Sequence, residues 1–381
     1  MALLVLALLL PLALAQERAE PAPQFTIDLD LPPRERHQEV ARHFKSDFPN
    51  LIKHFEETHL QKKMSLEERK MWLDNSNIKE EFQEEIRGFT EAVGSPTVKF
   101  EQVLLFNLMY ELAIPSFCSG VIAADGTGRV YHGRNLDNYM KYKSGRATRH
   151  ITDISVNLTY VRGGQPLFNA HSVAGYVGLH TVLKMSGSHR WSFQQNGHHL
   201  NDRALNLKAM QSGALPFGFY MRELIEQDVD FKTAVRSMVS TRFGAPSFFM
   251  MAGDGSWEGA ALEIKRNSSD VASNLARVQV LAPQIARWFL IQTNEGAWEP
   301  PQDDRRPIAL QMLRDIGGPP QMNEEVLMRI MRTRPLFNEN TAVSVVSVPS
   351  MSYVQSLMRK EEFMDMNLPY PKNMKFHVLL H

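Results

Sequence analysis

The 381-residue sequence predicts an α+β fold, helical in its first third and strand-rich after it. Two observations carry this. From Arg34 to about Thr90, charged and apolar residues recur at helical spacing, as in HLQKKMSLEERKMWLDNSNIKEEFQEEIRG. After Cys118 the texture shifts to short apolar or alternating runs bounded by Gly, Asp and Asn, which read as strands. No internal repeat is evident, and the length suits two ordinary domains or one large one.

The elements follow in order. The first fifteen residues, MALLVLALLLPLALA, end in Ala13-Leu14-Ala15, the small-x-small pattern that precedes signal-peptide removal, expected here after Ala15. The run is shorter than the roughly 20 residues that a membrane-spanning helix needs. Residues 16–24 read as an irregular lead-in. FTIDLDL, from Phe25 to Leu31, alternates as a strand, and Pro32-Pro33 ends it. Ser65 followed by Glu68 is a capping-box signature, and Lys99–Leu112, with VLLFNLMYEL, reads as a buried helix. Strands are expected at 118–124, 129–134, 153–161, 166–172, 246–252, 259–265, 276–282, 287–293 and 343–348. Helices are expected around 202–213, 217–240, 305–316 and 323–332.

Charge is balanced, with 42 basic and 42 acidic residues, and the absence of a basic tract argues against a nucleic acid partner. The 13 histidines predict a cationic surface in an acidic compartment, and with it transient contact with anionic lipid surfaces. The sequons Asn157-Leu158-Thr159 and Asn267-Ser268-Ser269 mark Asn157 and Asn267 as N-glycan acceptors, in keeping with a chain exported into the endomembrane system. No His, Cys and carboxylate group stands at metal-ligand spacing, so neither a metal nor an organic cofactor is expected; Gly197-His198-His199 reads as a polar loop.

The single cysteine sits in IPSFCSGVIAADGTGRVYHGRNLD, residues 114–137. In an oxidising compartment one thiol cannot form an internal disulfide, so Cys118 is either a buried small hydrophobe or a reactive group. It opens a β-hairpin around Asp125-Gly126-Thr127-Gly128. If Ala124 opposes Arg129, Cys118 opposes Asn135, with Arg134 adjacent and Asp137 just beyond the strand end. A guanidinium favours a thiolate and a carboxylate can anchor an ammonium. The alternative is a packed cysteine beside a surface Arg–Asp pair.

The order Cys118, Arg134, Asp137 within HGRNLD resembles the cysteine-type N-terminal nucleophile hydrolases, and more narrowly the family of acid ceramidase and N-acylethanolamine-hydrolysing acid amidase. FTIDLDLPP, FQEEIRG (82–88), NLMYEL, YHGRNLD, AGYVGLHT (174–181), QTNEGAW (292–298) and DDRR (303–306) follow in family order. YHGRNLD, the short C-terminus and the lack of paired cysteines point to the acylethanolamine amidase branch, whereas FTIDLDLPP is closer to the ceramidase branch.

The resemblance implies a four-layer αββα sandwich preceded by a mostly helical segment. It also implies a precursor that cuts itself between Phe117 and Cys118, giving an α chain (16–117) and a β chain (118–381) that stay associated. The freed amine would serve as base for the cysteine thiol. The implied reaction is hydrolysis of the amide of an N-acylated lipid amine, with N-acylethanolamines first and ceramide second; a catalytically silent lipid-binding relative is the rival. By motif, Arg134 orients the cysteine and contacts the substrate carbonyl region, and Asp137 holds the freed α-ammonium. Asn294 donates to the oxyanion, and Arg305 completes the polar floor of the site. A strand-end turn role for Asn294, and a helix-start pairing of Arg305 with Asp303 or Asp304, are the alternatives.

Three stretches depart from the family pattern. Cys118-Ser119-Gly120 stands for Cys-Thr-Ser, Asn196-Gly197-His198 lacks an acidic residue, and Asn294-Glu295-Gly296 replaces Asn-Tyr-Asp. A carboxylate is therefore missing near the arginines, which are then either hydrated or served by another acid such as Glu295. Residues 58–88 lack the broad apolar face of a lipid-contact helix, and Ala214–Met221 reads as either an acyl-groove wall or core.

Overall fold

A computed structural model describes residues 20–266 and 276–359. The signal-like run and the Asn267 sequon lie outside the described residues. The described chain opens with β1 (Gln24–Asp28) and continues through helices α1 (Pro33–Arg36), α2 (Gln38–His43), α3 (Phe48–Phe55), α4 (Leu66–Asp74), α5 (Glu80–Val93) and α6 (Phe100–Asn107). The hairpin strands β2 (Ser116–Ala124) and β3 (Val130–Asn138) follow, then a small ribbon of β4 (Lys141–Ser144) and β5 (Ala147–His150). A meander of β6 (Ser155–Arg162), β7 (Gln165–Val173), β8 (Thr181–Lys184) and β9 (Trp191–Gly197) leads to α7 (Arg203–Gln211), α8 (Phe217–Ile225) and α9 (Phe231–Ser240). Strands β10 (Ser247–Gly253), β11 (Gly259–Ile264), β12 (Ala276–Val280) and β13 (Phe289–Gln292) precede α10 (Arg305–Asp315) and α11 (Glu324–Met331). Last come β14 (Thr341–Val348) and β15 (Tyr353–Met358).

The larger strands form two sheets. The wide one has eight strands in the order β1-β6-β7-β8-β9-β10-β11-β12; the narrow one has five, in the order β13-β2-β3-β14-β15. Alternation along β2 decides the layering. Val121 and Ala123 face α10 and α11 and pack with Met312, Leu313, Leu327 and Met331. Ile122 and Ala124 point the other way, onto Met250, Ala252, Ala261 and Leu281 of the wide sheet. The far face of the wide sheet, with Phe193, Phe249 and Leu262, is covered by the N-terminal helices and by α8 and α9. The four layers are helix, sheet, sheet, helix, as the sequence reading expected.

The segment before Cys118 is built into this sandwich. β1 adds a parallel edge strand to β6, pairing Gln24 with Asn157 and Asp28 with Val161. Gly88 in FQEEIRG explains its own identity, since a Cβ there would come within 1.7 Å of the carbonyl oxygen of Arg34. Glu85 on the same helix is fully buried and ion-paired to Arg222 of α8 at 3.0 Å and to Arg36 at 2.8 Å.

Some expectations change. Ser65 caps α4 by accepting from the Glu68 N–H, but the Glu68 carboxylate goes to Arg203 at 2.8 Å rather than back to the cap, so only half the capping box forms. The helix expected over 217–240 is two helices, because Asp230 caps a new start by accepting from the Thr233 N–H. Strands β4, β5, β8, β9 and β15 were not anticipated. WSFQQNG of β9 looks polar yet is buried, its Ser192 and Gln194 hydrogen-bonded to His132 across the sandwich. Ala214, Phe217, Phe219 and Met221 belong to the core rather than to a groove wall.

Candidate active site

The turn of the β2–β3 hairpin sets the site. The Asp125 N–H donates to the Arg129 carbonyl, leaving three residues in the loop, with Gly128 at positive φ. The Asp125 side chain caps it by accepting from the N–H groups of Thr127 and Arg129. Ala124 therefore opposes Val130, one residue away from the expected register, and Cys118 opposes Leu136 rather than Asn135. The slip matters because opposed residues share a face. In the expected register Arg134 would lie on the face opposite the thiol. In the observed register Gly120 opposes Arg134, and Arg134 joins Cys118 on the face between the sheets.

Cys118 is completely buried. From between the sheets Arg134 brings Nη2 to 3.7 Å from its Sγ, while Nη1 donates to the carbonyls of His180 (2.9 Å) and Gln195 (2.7 Å). From the other face Arg305, at the start of α10, donates to the Cys118 carbonyl at 3.0 Å and to Asn294 Oδ1 at 3.1 Å. Asp303 holds that guanidinium on both oxygens, at 3.0 and 2.9 Å, so the helix-start pairing and the approach to the cysteine occur together.

Asn294 follows from pairing as well. β13 pairs Gln292 with Gly120, and two residues further on the chain stands level with Cys118. There Asn294 Oδ1 accepts the Cys118 backbone N–H at 3.0 Å, and its Nδ2 donates to the carbonyls of Ser116 (3.2 Å) and Gly197 (2.7 Å). Asp137 opposes Phe117, accepts from Thr341 Oγ1 (2.7 Å) and Asn338 Nδ2 (2.9 Å), and lies 3.9 Å from Arg305. The sequence reading missed these two holders of Asp137, which are about 200 residues away. Their only trace is the polar NENT run just before β14.

Burial governs the electrostatics. It pushes the Cys118 thiol up, against the opposing pull of Arg134. It pushes Asp137 up to about 6, against its hydrogen bonds and Arg305. The missing acid has a structural answer. Glu295 is fully buried, but it accepts from Thr293 Oγ1 and lies 3.6 Å from Arg306, so it serves neither active-site arginine. Arg134 is 1% exposed, and two carbonyl oxygens and the Cys118 sulfur, rather than an acid, meet its terminal nitrogens.

A cavity of ≈ 280 Å³ flanks the Phe117–Cys118 bond, lined by residues 113–117 on one side and by Gly197, His199 and Asn294 on the other. Gly197-His198-His199 does run from the end of β9 into a loop, but His198 is buried there, stacked on Phe248 at 4.4 Å, and held down to about 3 by burial. Burial likewise holds His54, His59, His132, His150, His171 and His180 below the usual value, so acid adds less positive charge than thirteen histidines suggested. Asn157 is half-buried, its Nδ2 on the Ala22 carbonyl and its Oδ1 on His171 and Ser356.

Two antiparallel-rich sheets between helical layers, with a lone cysteine near the head of a central strand, define an N-terminal nucleophile hydrolase fold. Comparison with known proteins narrows this. Residues 20–65 match the family model described as the beta subunit of N-acylethanolamine-hydrolyzing acid amidase. Acid ceramidase of Rattus norvegicus is 28% identical over 357 residues, covering 89% of this chain and 86% of that protein. N-acylethanolamine-hydrolyzing acid amidase of the same organism is 29% identical over 281 residues, covering 71% and 70%. The solved structure of the Caenorhabditis elegans ortholog of that amidase aligns with a TM-score of 0.53 at 25% identity, covering 61% of this chain and 93% of that one. The chain is similar over most of its length to acid ceramidase and N-acylethanolamine-hydrolyzing acid amidase, and these matches support a cysteine amidohydrolase of the N-terminal nucleophile type.

Proposed function

We propose that this chain is a self-processing lipid amidase that cuts itself between Phe117 and Cys118 and then hydrolyses N-acylethanolamines, with ceramide as second substrate. The observation that carries the reading is the convergence of Arg134, Asp137, Asn294 and Arg305 on Cys118 from both faces of one sheet. The relatives support it: they include both an acid ceramidase and an N-acylethanolamine-hydrolyzing acid amidase.

In the uncut chain the thiol is buried and its pKa raised, which suits attack on its own neighbour over an external amide. Sulfur adds to the Phe117 carbonyl carbon, the C–N bond breaks with a proton to the Cys118 nitrogen, and water hydrolyses the thioester to a Phe117 carboxylate. The new amine takes the thiol proton in later turnovers, with Asp137 one residue along β3 to hold its ammonium. Asn294 changes partner. Its Nδ2 is occupied by the Ser116 carbonyl before cleavage, and departure of that segment frees it to donate to a substrate oxyanion. Arg305 steadies the Cys118 carbonyl and the Asn294 amide oxygen. The α chain (16–117) and β chain (118–381) stay together through β1 and the Glu85–Arg222 pair. An acidic lumen, lysosomal or secretory, suits the signal-like N-terminus.

The test is to incubate purified precursor at acidic and neutral pH and to sequence the larger product from its N-terminus. A start at Cys118, absent in Cys118→Ala, is expected. Fatty acid release from N-palmitoylethanolamine against N-palmitoylsphingosine sets the substrate order. A chain that stays uncut and releases no fatty acid from either would overturn the reading.

A further inference from the structure

Between the sheets lies a second cavity, of ≈ 420 Å³, walled by β6 to β9 on one side and by β3, β14 and β15 on the other. It reaches the surface beside β15, where Val354 is exposed. Its origin is the mismatch in sheet width. Around β2, β10 and β11 the inter-sheet space is filled by Ile122, Met250 and Leu281, whereas toward β6 and β7 the facing residues are polar, among them Thr159, Asn169 and Thr181. The volume exceeds what one or two waters fill and suits a small organic molecule. Arg134 lines it; Cys118, Asp137, Asn294 and Arg305 do not.

Two lining side chains, each more than nine-tenths buried, carry polar atoms with no protein partner among the described residues: Nε of Arg134 and Nε2 of His171. Their chemistry is complementary. Asn157 Nδ2 donates to the Ala22 carbonyl, so its Oδ1 is the acceptor for His171 Nδ1 at 2.9 Å. The neutral ring therefore carries its hydrogen on Nδ1 and a lone pair on Nε2. Arg134 Nε offers a hydrogen and His171 Nε2 accepts one. Arg134 is also the lone formal charge in the lining, which holds no Asp, Glu or Lys, and no carboxylate among the described residues is ion-paired to it. A buried guanidinium in that position favours a counter-anion.

We propose that this cavity binds the carboxyl group of a monocarboxylic acid, one oxygen accepting from Arg134 Nε–H and the other sharing a proton with His171 Nε2. Leu183 and Val345, which face each other from the two sheets, supply the apolar wall for its carbon chain. A carboxylate arriving from water takes up one proton on binding, carried either on its own oxygen or on His171. The charged and titratable groups around His171 are Arg134 and His132 from β3 and His180 ahead of β8, none of them acidic, so that proton has no competing acceptor carboxylate. The proposal does not depend on the amidase reading.

Calorimetric titration of the full chain with sodium butyrate, against sodium chloride at matched ionic strength, tests it. Saturable binding is expected near pH 5, weakening by up to about tenfold per pH unit above the acid's own pKa. Binding should be lost in His171→Leu and in Ser347→Leu, which fills the cavity from the opposite wall; ligand-free melting temperatures show that each variant is folded. Octanoate in place of butyrate separates a lipid acid (tighter) from a small metabolite acid (equal or weaker), and either ranking supports a carboxyl site. No saturation above the chloride control, butyramide binding as tightly as butyrate, or folded variants that bind like the parent chain would overturn it.

Discussion

Gly120 stands directly opposite Arg134 across β2 and β3, and the Arg134 guanidinium reaches the sulfur of Cys118 two residues back. The space over Gly120 is taken from the other sheet. A Cβ on residue 120 would come within 2.2 Å of Gln194 Nε2 and 2.3 Å of Met250 Sδ. Gly120→Ala is therefore expected to destabilise the precursor by about 1–3 kcal/mol, the usual range for overpacking, and to slow its cleavage. Chemical denaturation together with the rate of two-chain formation measures both; a variant matching the parent chain in each would refute the crowding.

Asn294 touches the Cys118 N–H, the Arg305 guanidinium and the Ser116 carbonyl at once. Asn294→Ala in the cleaved protein should lower kcat by about 10²–10³, the loss typical of one oxyanion donor, with a smaller effect on KM. Steady-state kinetics on a soluble acyl amide decides it. An unchanged kcat would return Asn294 to a strand-end turn role.

Glu85 and Arg222 are both fully buried and bidentate, at 3.0 and 3.2 Å, and they tie α5 to α8 across the proposed cut. Burial alone would raise the Glu85 carboxyl, but Arg222 and His37 hold it well below its usual range. With a folded pKa below the unfolded one, this contribution is present above the unfolded value of 4.5 and lost as pH falls below it. Glu85→Gln leaves Arg222 without its charge partner and should cost about 3–5 kcal/mol. The readout is dissociation of the two chains after cleavage, by size-exclusion chromatography, and chains that stay together as firmly as in the parent would count against it.

Glu111 runs the opposite way. Burial pushes it up to about 7, partly offset by the Phe217 N–H that donates to it at 3.3 Å. A folded pKa above the unfolded one means that the folded chain holds the extra proton. Its stabilising share is complete below 4.5 and disappears as pH rises through about 7. Asp137, raised to about 6, adds to the same slope. The seven histidines held below their usual value push stability the other way, so the readout is a difference: the melting temperature of the parent chain relative to that of Glu111→Gln should fall between about pH 5 and pH 8. A slope identical in the variant would show that Glu111 is not responsible.

Much of the site was legible in order and little of it in space. HGRNLD, TNEGAW and DDRR named Arg134, Asp137, Asn294 and Arg305, because residue type and spacing survive where geometry cannot be read. The polar strand β9 was missed, since a strand whose hydrogen bonds are all made inside a sandwich loses the alternation that marks a half-exposed one. The register of the hairpin was also out of reach by one residue. A four-residue and a three-residue turn fit DGTG equally well until the Asp125 side chain is seen to cap the shorter one.

By itself the sequence determined the α+β class, the lone thiol at the head of a hairpin and the cast of polar residues that attends it, all properties of local pattern and order. Only the tertiary structure decided which face each residue occupies. Strand alternation has a period of two, so a single-residue shift exchanges the two faces of a sheet. That shift placed Arg134 with Cys118 between the sheets and left Arg305 and Asp137 to approach from outside. The absence of a carboxylate beside Arg134 is likewise decided in three dimensions, where Glu295, one residue from Asn294 in the chain, turns to Arg306 instead.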